Sequence, residues 1–475
     1  MTIDIAIIVA YCVVINIIGL KYAGSSSIDD YFLGNRSVNW IIVSFSIVAT
    51  ETSSLTFLSV PGLAYVKGMG FLQIAFGYLV GRILVALLLL PGYFEGDMDT
   101  VYQFLQKRFS ITSRKAVSVI FHITRLLADS VRLFATAIPL TFLMGWDYRI
   151  SLLVIGVATF VYTFFGGIKS VIIVDTLQLF LYLFSVALGI YFVAKTMSCS
   201  IGDVFAQIAP GDLSFISSGA GGGWRHFFNS YNIVSGIIGG AFLSFASHGT
   251  DHIIVQRALT CKDVRSAQKA MIISGVFIIF QFALFLLFGL FLKVLMNGRV
   301  FAISDEIVPL YIIQYLPPGV RGIMLMGIFA AAMSTLSSSV NSLSSSTVID
   351  FLGLREKHIS AAKKVALSRG VSLLWTVVII GISMLFKDSK NPLVEIGLSI
   401  ASITYGGMLG IFLTGRFIKG VSDFSALAGV FVSIAVMGVI AFTTTLFWLW
   451  YVALGFVIAV SVTAVAHYLG MRIVR

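Results

Sequence analysis

The sequence predicts an all-α polytopic membrane protein with about 13 transmembrane helices, and three observations carry that expectation. Of 475 residues, 58% are hydrophobic and only 11% are charged, whereas soluble domains are about 45–50% apolar and about 25% charged. Apolar stretches of about twenty residues, each long enough to cross about 30 Å of hydrocarbon as a helix, recur from end to end. Basic residues are distributed unevenly between alternate loops, as a topology signal would be. No soluble domain fits between the stretches, so a single anchor on a globular domain is excluded.

In order, spans are expected at 3–20, 38–60, 68–93, 114–144, 149–166, 170–195, 227–247, 268–293, 319–349, 365–386, 394–415, 423–444 and 446–468. The first lacks a basic leader and a small-residue cleavage site, so it reads as a retained helix and not a signal peptide. The second contains "SIVATETSSLTFLSVPG", a poor continuous helix, because Ser and Thr compete for the backbone and β-branched Thr resists helical packing. A break there frees carbonyls for a cation and turns the N-terminus of a half-helix beginning near Ser53 toward an anion. Spans five and six meet at Gly-Gly in "VYTFFGGIKSVIIVDTLQ", with Asp175 one and a half turns into the sixth. The ninth carries "MSTLSSSVNSLSSST". At 100° per residue Ser334, Ser338, Asn341 and Ser345 form one stripe with Ser337 at its margin, and Leu336, Val340 and Leu343 lie opposite. A linker has no reason to keep that separation; a packed helix does.

The formal charge is +11. With the N-terminus outside and the C-terminus cytoplasmic, the cytoplasmic loops hold twenty Lys and Arg, Arg257 and Arg114 among them, against nine outside. The charge therefore follows topology in a cell inner or plasma membrane, and no nucleic-acid partner is implied. No obligate protein partner is implied either. Cys12, Cys199 and Cys261 suggest no disulfide or metal framework. Two long outer loops, about 196–226 with "SGAGGGW" and about 294–318, read as connectors. The six histidines form no H-E-x-x-H or similar motif, which argues against a polytopic membrane enzyme. A non-transporting membrane sensor is the other alternative, and the short tail after 468 holds no signalling domain.

Six ionisable residues fall inside spans: Glu51, Asp129 and Asp175 against Arg82, Arg125 and Arg132. An unpaired charge in a span costs several kcal/mol, so each marks a site or a pair. Arg125, Asp129 and Arg132 share one helical face, and Asp129 can pair with either arginine. The arginine left over wants Glu51 or a substrate carboxylate held in a bidentate grip. Asp175 with hydroxyls of the ninth span would form an oxygen cage suited to a hard ion such as sodium.

At this point the chain resembles the sodium solute symporter family over nearly its whole length, through "ATETSSLTFLSVPG", "YTFFGGIKSVIIVDTLQ", "DHIIVQRALTCKDVRSAQKA" and "AAAMSTLSSSVNSLSSSTVIDF" in the family's order. The resemblance implies one transporter domain with a LeuT-type 5+5 inverted repeat, here about 38–195 and 227–417, with extra N- and C-terminal helices. It implies a first sodium site at Ala49, Thr52, Ala331, Ser334 and Thr335, and a second at Asp175, Ser334, Ser337 and Ser338. It also implies Na⁺ as the co-transported ion and, as cargo, a small polar or anionic solute of the sialic acid, sugar, inositol or carboxylate class. By similarity to sialic acid symporters, Ser53, Thr56 and Arg125 would meet it, with Arg132, Glu51, Gln73 and Phe242 as further candidates. The chain departs from those relatives at Glu51, at Arg132 and at Gly77, where a glutamine is expected. Within the serine run, Ser344 and Ser346 are expected to be dispensable.

Overall fold

The computed structural model describes residues 2–218, 228, 231–386 and 393–473. Most of "SGAGGGW", with Arg225, Lys387 and Lys390, lies outside them. Every regular element among the described residues is helical. Among the described residues nine helices are long and apolar enough to cross a membrane; a tenth is added if Ile28–Arg36 and Trp40–Glu51, which meet at 113°, count as one bent span.

Seven of the expected spans are each matched by one helix with shifted ends. Thr2–Leu20, Ile111–Met144, Val264–Leu295, Ala361–Ser383, Leu393–Phe417, Asp423–Thr443 and Tyr451–Ile473 are continuous. Tyr148–Thr196 covers the fifth and sixth spans and folds over at Gly167, with φ 60° and ψ −161°. Only glycine takes that conformation readily, and a Cβ there would stand 2.6 Å from Tyr31 O.

Two helices are broken. Trp40–Glu51 stops, Thr52 and Ser53 are extended, and Ser54–Lys67 begins. A second break was not anticipated. Gly240–Gly249 ends before Thr250 and Asp251, and His252–Leu259 starts again inside the stretch read above as a cytoplasmic loop. Its signal was present: an Asp immediately before an apolar run is an N-cap pattern, and Asp251 Oδ1 accepts from Ile253 N at 3.0 Å.

Val320–Ser346 is the hub. It packs on Tyr148–Thr196, Thr2–Leu20, Ile111–Met144, Ala361–Ser383 and both halves of the first broken helix. From Phe329 to Ser346 every side chain is buried, including Leu336, Val340 and Leu343, so the polar and apolar stripes face different neighbours and neither faces lipid. Small hydroxylated residues permit this close approach on all sides.

The hub's beginning is tied to the chain's beginning: Asp4 accepts from Gly319 N at 2.8 Å and Gly322 N at 3.0 Å and pairs with Arg321 at 2.9 Å. Beyond the far end of Thr2–Leu20, Lys169 pairs with Asp30 at 3.0 Å, Arg36 with Asp97 at 2.9 Å, and Arg355 with both Asp99 and Asp29. Cys12, Cys199 and Cys261 are free, and burial pushes the Cys261 thiol up to about 12.

Candidate functional site

The first break is shaped by its own hydroxyls. Thr52 Oγ1 donates to Val48 O at 2.8 Å and receives Gln281 Nε2. Ser53 N, which would have closed the helix onto Ala49 O, is instead accepted by Thr56 Oγ1 at 3.3 Å. Ser54 Oγ reaches Arg132 O at 3.2 Å and shares a hydrogen bond with Thr136. Ala49 O is thereby left without its helical partner, as helix ends require. Across from it the hub contributes Ala331, Ser334 and Thr335, all buried. Thr335 Oγ1 bonds back to Ala331 O at 3.1 Å and lines a water-sized cavity with Ser54, Asp129 and Arg132.

Asp175 is fully buried and gathers the hub's hydroxyls as expected. Ser334 Oγ donates to Oδ1 at 2.8 Å and Ser337 Oγ at 3.5 Å, while Ser338 Oγ donates to Oδ2 at 3.3 Å. The first broken helix adds Ser46 at 3.1 Å and Thr50 at 3.5 Å. The sequence reading missed the cation in this cluster. Arg257, assigned above to a cytoplasmic loop, is fully buried and pairs with Asp175 at 2.9 Å. Arg114, counted there too, is buried against Asp350 at 2.7 Å.

The three intramembrane arginines separate by partner. Arg82 binds Glu51, with Ser274 at 2.7 Å, and His248 Nε2 lies 3.6 Å from the same carboxylate. Arg125 pairs with Asp251 at 2.8 Å and Asp129 at 3.4 Å, and its remaining nitrogen donates to Tyr405 OH. Among the described residues Arg132 pairs with Asp129 alone, at 3.1 Å, and Asp129 also receives Ser339 Oγ. Arg132 also lines a cavity of about 50 Å³ with Glu51, Ser53, Leu55, Thr56, Phe71, Tyr78, Phe282 and Leu398.

Several of the residues expected at the solute site do not line that cavity. Arg125 does not line it, because Asp251 and Tyr405 hold its guanidinium. Gln73 is buried elsewhere, donating to Gly70 O at 3.0 Å and accepting from Ser217 N at 3.3 Å. Phe242 packs on Phe456 with ring centroids 5.4 Å apart, away from the cavity. Gly77 has no room for a glutamine, since a Cβ would stand 2.3 Å from Gly236 O. Ser346 is not a bystander: its hydroxyl donates to Asp350 at 2.6 Å and contacts Ser118 at 2.7 Å. Ser344 bonds only to Val340 O of its own helix.

Buried hydroxyls, freed carbonyls and a carboxylate are ligands for a hard monovalent cation, and no group of three His, Cys, Asp or Glu that would suit a transition metal occurs among the described residues. Comparison with known proteins agrees. The human sodium/iodide cotransporter is 26% identical over 444 residues, covering 90% of this chain and 67% of its own. The sodium/sialic acid symporter NanT of Aliivibrio fischeri is 26% identical over 472 residues, covering 97% and 92%. A solved structure of a substrate-bound, outward-open Na⁺-coupled sialic acid symporter superposes with a TM-score of 0.88 at 24% identity, covering 98% of each chain. Residues 31–433 match the sodium:solute symporter family, and the chain belongs to that family of membrane transporters.

Proposed function

We propose that this chain is a sodium-coupled symporter that imports a small organic anion by alternating access. The observation that carries the reading is Arg132: a largely buried guanidinium with one carboxylate partner among the described residues, itself shared, lining a cavity beside the helix break. A second carboxylate, the cargo's, completes its coordination in a bidentate grip. Ser53 and Thr56 stand in the same cavity at the N-terminus of Ser54–Lys67, whose dipole favours negative charge. Glu51 is compensated by Arg82 and serves to neutralise it. The named cargos of the relatives, iodide and sialic acid, differ in size but share negative charge. A cavity of about 50 Å³ has room for a few waters, at about 10–15 Å³ each, and so for a carboxylate head group.

Sodium is read at Ala49 O, Thr52, Ala331 O, Ser334 and Thr335, between the break and the hub. By holding those two elements together it completes the solute site, and the coupling is reciprocal: sodium stabilises the conformation that binds solute, and solute the one that binds sodium. We count thirteen crossings. Tyr148–Thr196, at 49 residues, is far longer than the roughly 20 one crossing needs and divides at Gly167. The breaks at Thr52–Ser53 and Thr250–Asp251 open two sets of five helices, which supports inverted repeats at 38–195 and 227–417. The outward N-terminus is supported by the Asp4–Arg321 contact, because both ends then fall on the side poorer in basic residues.

Ser334→Ala should raise the sodium concentration for half-maximal uptake about tenfold or more, as loss of a bond to a charged group does, while Ser344→Ala leaves it unchanged. Equal effects would remove Ser334 from the sodium site. A thermal-shift screen of the purified protein against sialic acids, sugars, inositol and monocarboxylates, in sodium and in potassium, should give stabilisation only by acids and only in sodium. Neutral amides of the active acid should fail to compete for its uptake; full competition would sink the carboxylate assignment.

A further inference from the structure

A further cavity, of about 450 Å³, lies at the end of Leu393–Phe417 and falls within the roughly 300–1,000 Å³ of small-molecule sites. Its walls are the end of Leu90–Glu95, the short helix Gln103–Arg108 and the chain from Gly415 to Lys419, and it shares no lining residue with the solute cavity. Four cations line it, Lys107, Arg108, Arg416 and Lys419, against one carboxylate, Glu95. Arg108 fixes the frame: its Nε donates to Gly415 O at 2.8 Å and its Nη2 to Ile418 O at 2.6 Å, carbonyls of the kind a helix end leaves without partners. Lys107 Nζ donates to Gly96 O. Phe104 also lines the cavity and stacks on Phe412 with ring centroids 5.7 Å apart. The other two cations are poorly compensated. Arg416 stands 3.8 Å from Glu95, whose side chain is 69% exposed, beyond hydrogen-bond reach and worth little in water. Lys419 makes no side-chain hydrogen bond or ion pair among the described residues, and the nearby acid Asp423 is held by Ser110 and Ser113.

The cations gather where one span ends and the next begins. Arg416 is in the last turn of Leu393–Phe417, and Phe417, Ile418 and, in the first turn of Asp423–Thr443, Phe424 are exposed. A soluble anion would satisfy the cations and leave these apolar side chains in water, whereas an amphiphile covers both. Basic cavities between spans take anionic headgroups in this way. We propose that the cavity binds the phosphate headgroup of an anionic glycerophospholipid, with Lys419 and Arg416 as its principal contacts and the acyl chains against Phe417, Ile418 and Phe424. Arg108 already ties Gln103–Arg108 to residues 307 and 310 positions away. The headgroup strengthens that junction by neutralising cations that otherwise repel one another across it. A ligand that binds the folded chain alone raises its stability by mass action.

The test follows the melting temperature of the purified full-length protein, stripped of lipid in a neutral detergent, as phosphatidylglycerol, phosphatidylcholine or free glycerol 3-phosphate is added. Phosphatidylglycerol alone should raise it, and saturably. Lys419→Gln and Arg416→Gln should each raise the half-saturating lipid concentration about fivefold, since a basic residue near an anionic lipid surface is worth about 1 kcal/mol. Lys357→Gln, at an exposed cation outside the cavity, should leave that concentration unchanged. Neither Lys419 nor Arg416 holds the fold together, so the lipid-free melting temperatures of their variants should match the native one. An equal rise with phosphatidylcholine would reduce the effect to a general need for lipid and overturn the site. An equal rise with glycerol 3-phosphate would make it a site for a soluble anion and overturn the lipid assignment. No rise with phosphatidylglycerol, a native midpoint in both cavity variants, or an equal shift in Lys357→Gln would overturn it as well.

Discussion

Arg125→Gln should lower the stability of the folded protein by about 3–5 kcal/mol, while Arg132→Gln leaves the fold nearly intact and abolishes anion binding. The two arginines lie two turns apart on one helix, yet their surroundings differ. The Arg125 guanidinium is saturated by Asp251, Asp129 and Tyr405. Asp251 in turn caps His252–Leu259 through Ile253 N, so removing Arg125 strands a buried carboxylate at the second break. Arg132 borders the cavity, and its one ion-pair partner among the described residues, Asp129, keeps Arg125 when it is lost. Denaturation midpoints and solute-induced thermal shifts on the two variants separate the roles. A stable Arg125→Gln protein without anion binding would transfer the cargo to Arg125.

The second large effect is expected at a residue with no side chain. Gly77 lies on Leu72–Leu84 where that helix crosses the turn before Gly240–Gly249, and an added Cβ would meet Gly236 O at 2.3 Å, Ile237 O at 2.8 Å and Ala241 N at 2.9 Å. All three are backbone atoms and cannot rotate aside. Gly77→Ala should therefore cost about 3 kcal/mol, and Gly77→Gln should yield little folded protein. Gly370, inside Ala361–Ser383, has nothing within 4 Å of its missing Cβ. Gly370→Ala should instead gain about 0.5–1 kcal/mol from helix propensity. Melting temperatures in detergent check both; a tolerated alanine at 77 would mean that the two helices are further apart than described.

Much of this architecture was legible because hydrocarbon imposes one rule on every crossing helix. The long apolar runs, the break at Thr52 and Ser53, the turn at Gly167 and the gathering of Ser334, Ser337 and Ser338 on Asp175 all follow from local chemistry. What was missed is non-local. Arg257 and Asp175 are 82 residues apart, and Arg125 and Asp251 are 126 apart. The half-helix that carries Arg257 is eight residues long with three of them polar, too short and too mixed for hydropathy to distinguish from a loop. The same limit hid that Gln73 and Phe242 lie outside that cavity: a span's residues can be read from sequence, but not which neighbour each side of it meets. The bonds of Ser346 were not legible because its partners, Asp350 and Ser118, lie beyond the run's own pattern.

The two extended residues at the first break have a consequence for how quickly the carrier can work. Thr52 is held by Val48 O and Gln281, Ser53 by Thr56, and Ser54 by Arg132 O and Thr136, so the break keeps its shape through bonds that include no cargo. Ions and solute then meet a mould already set, and little ordering of the chain accompanies their arrival. Affinity need not be high to be selective, and a weakly held cargo dissociates fast. A protein that must release on one side what it captured on the other depends on that combination more than on tightness.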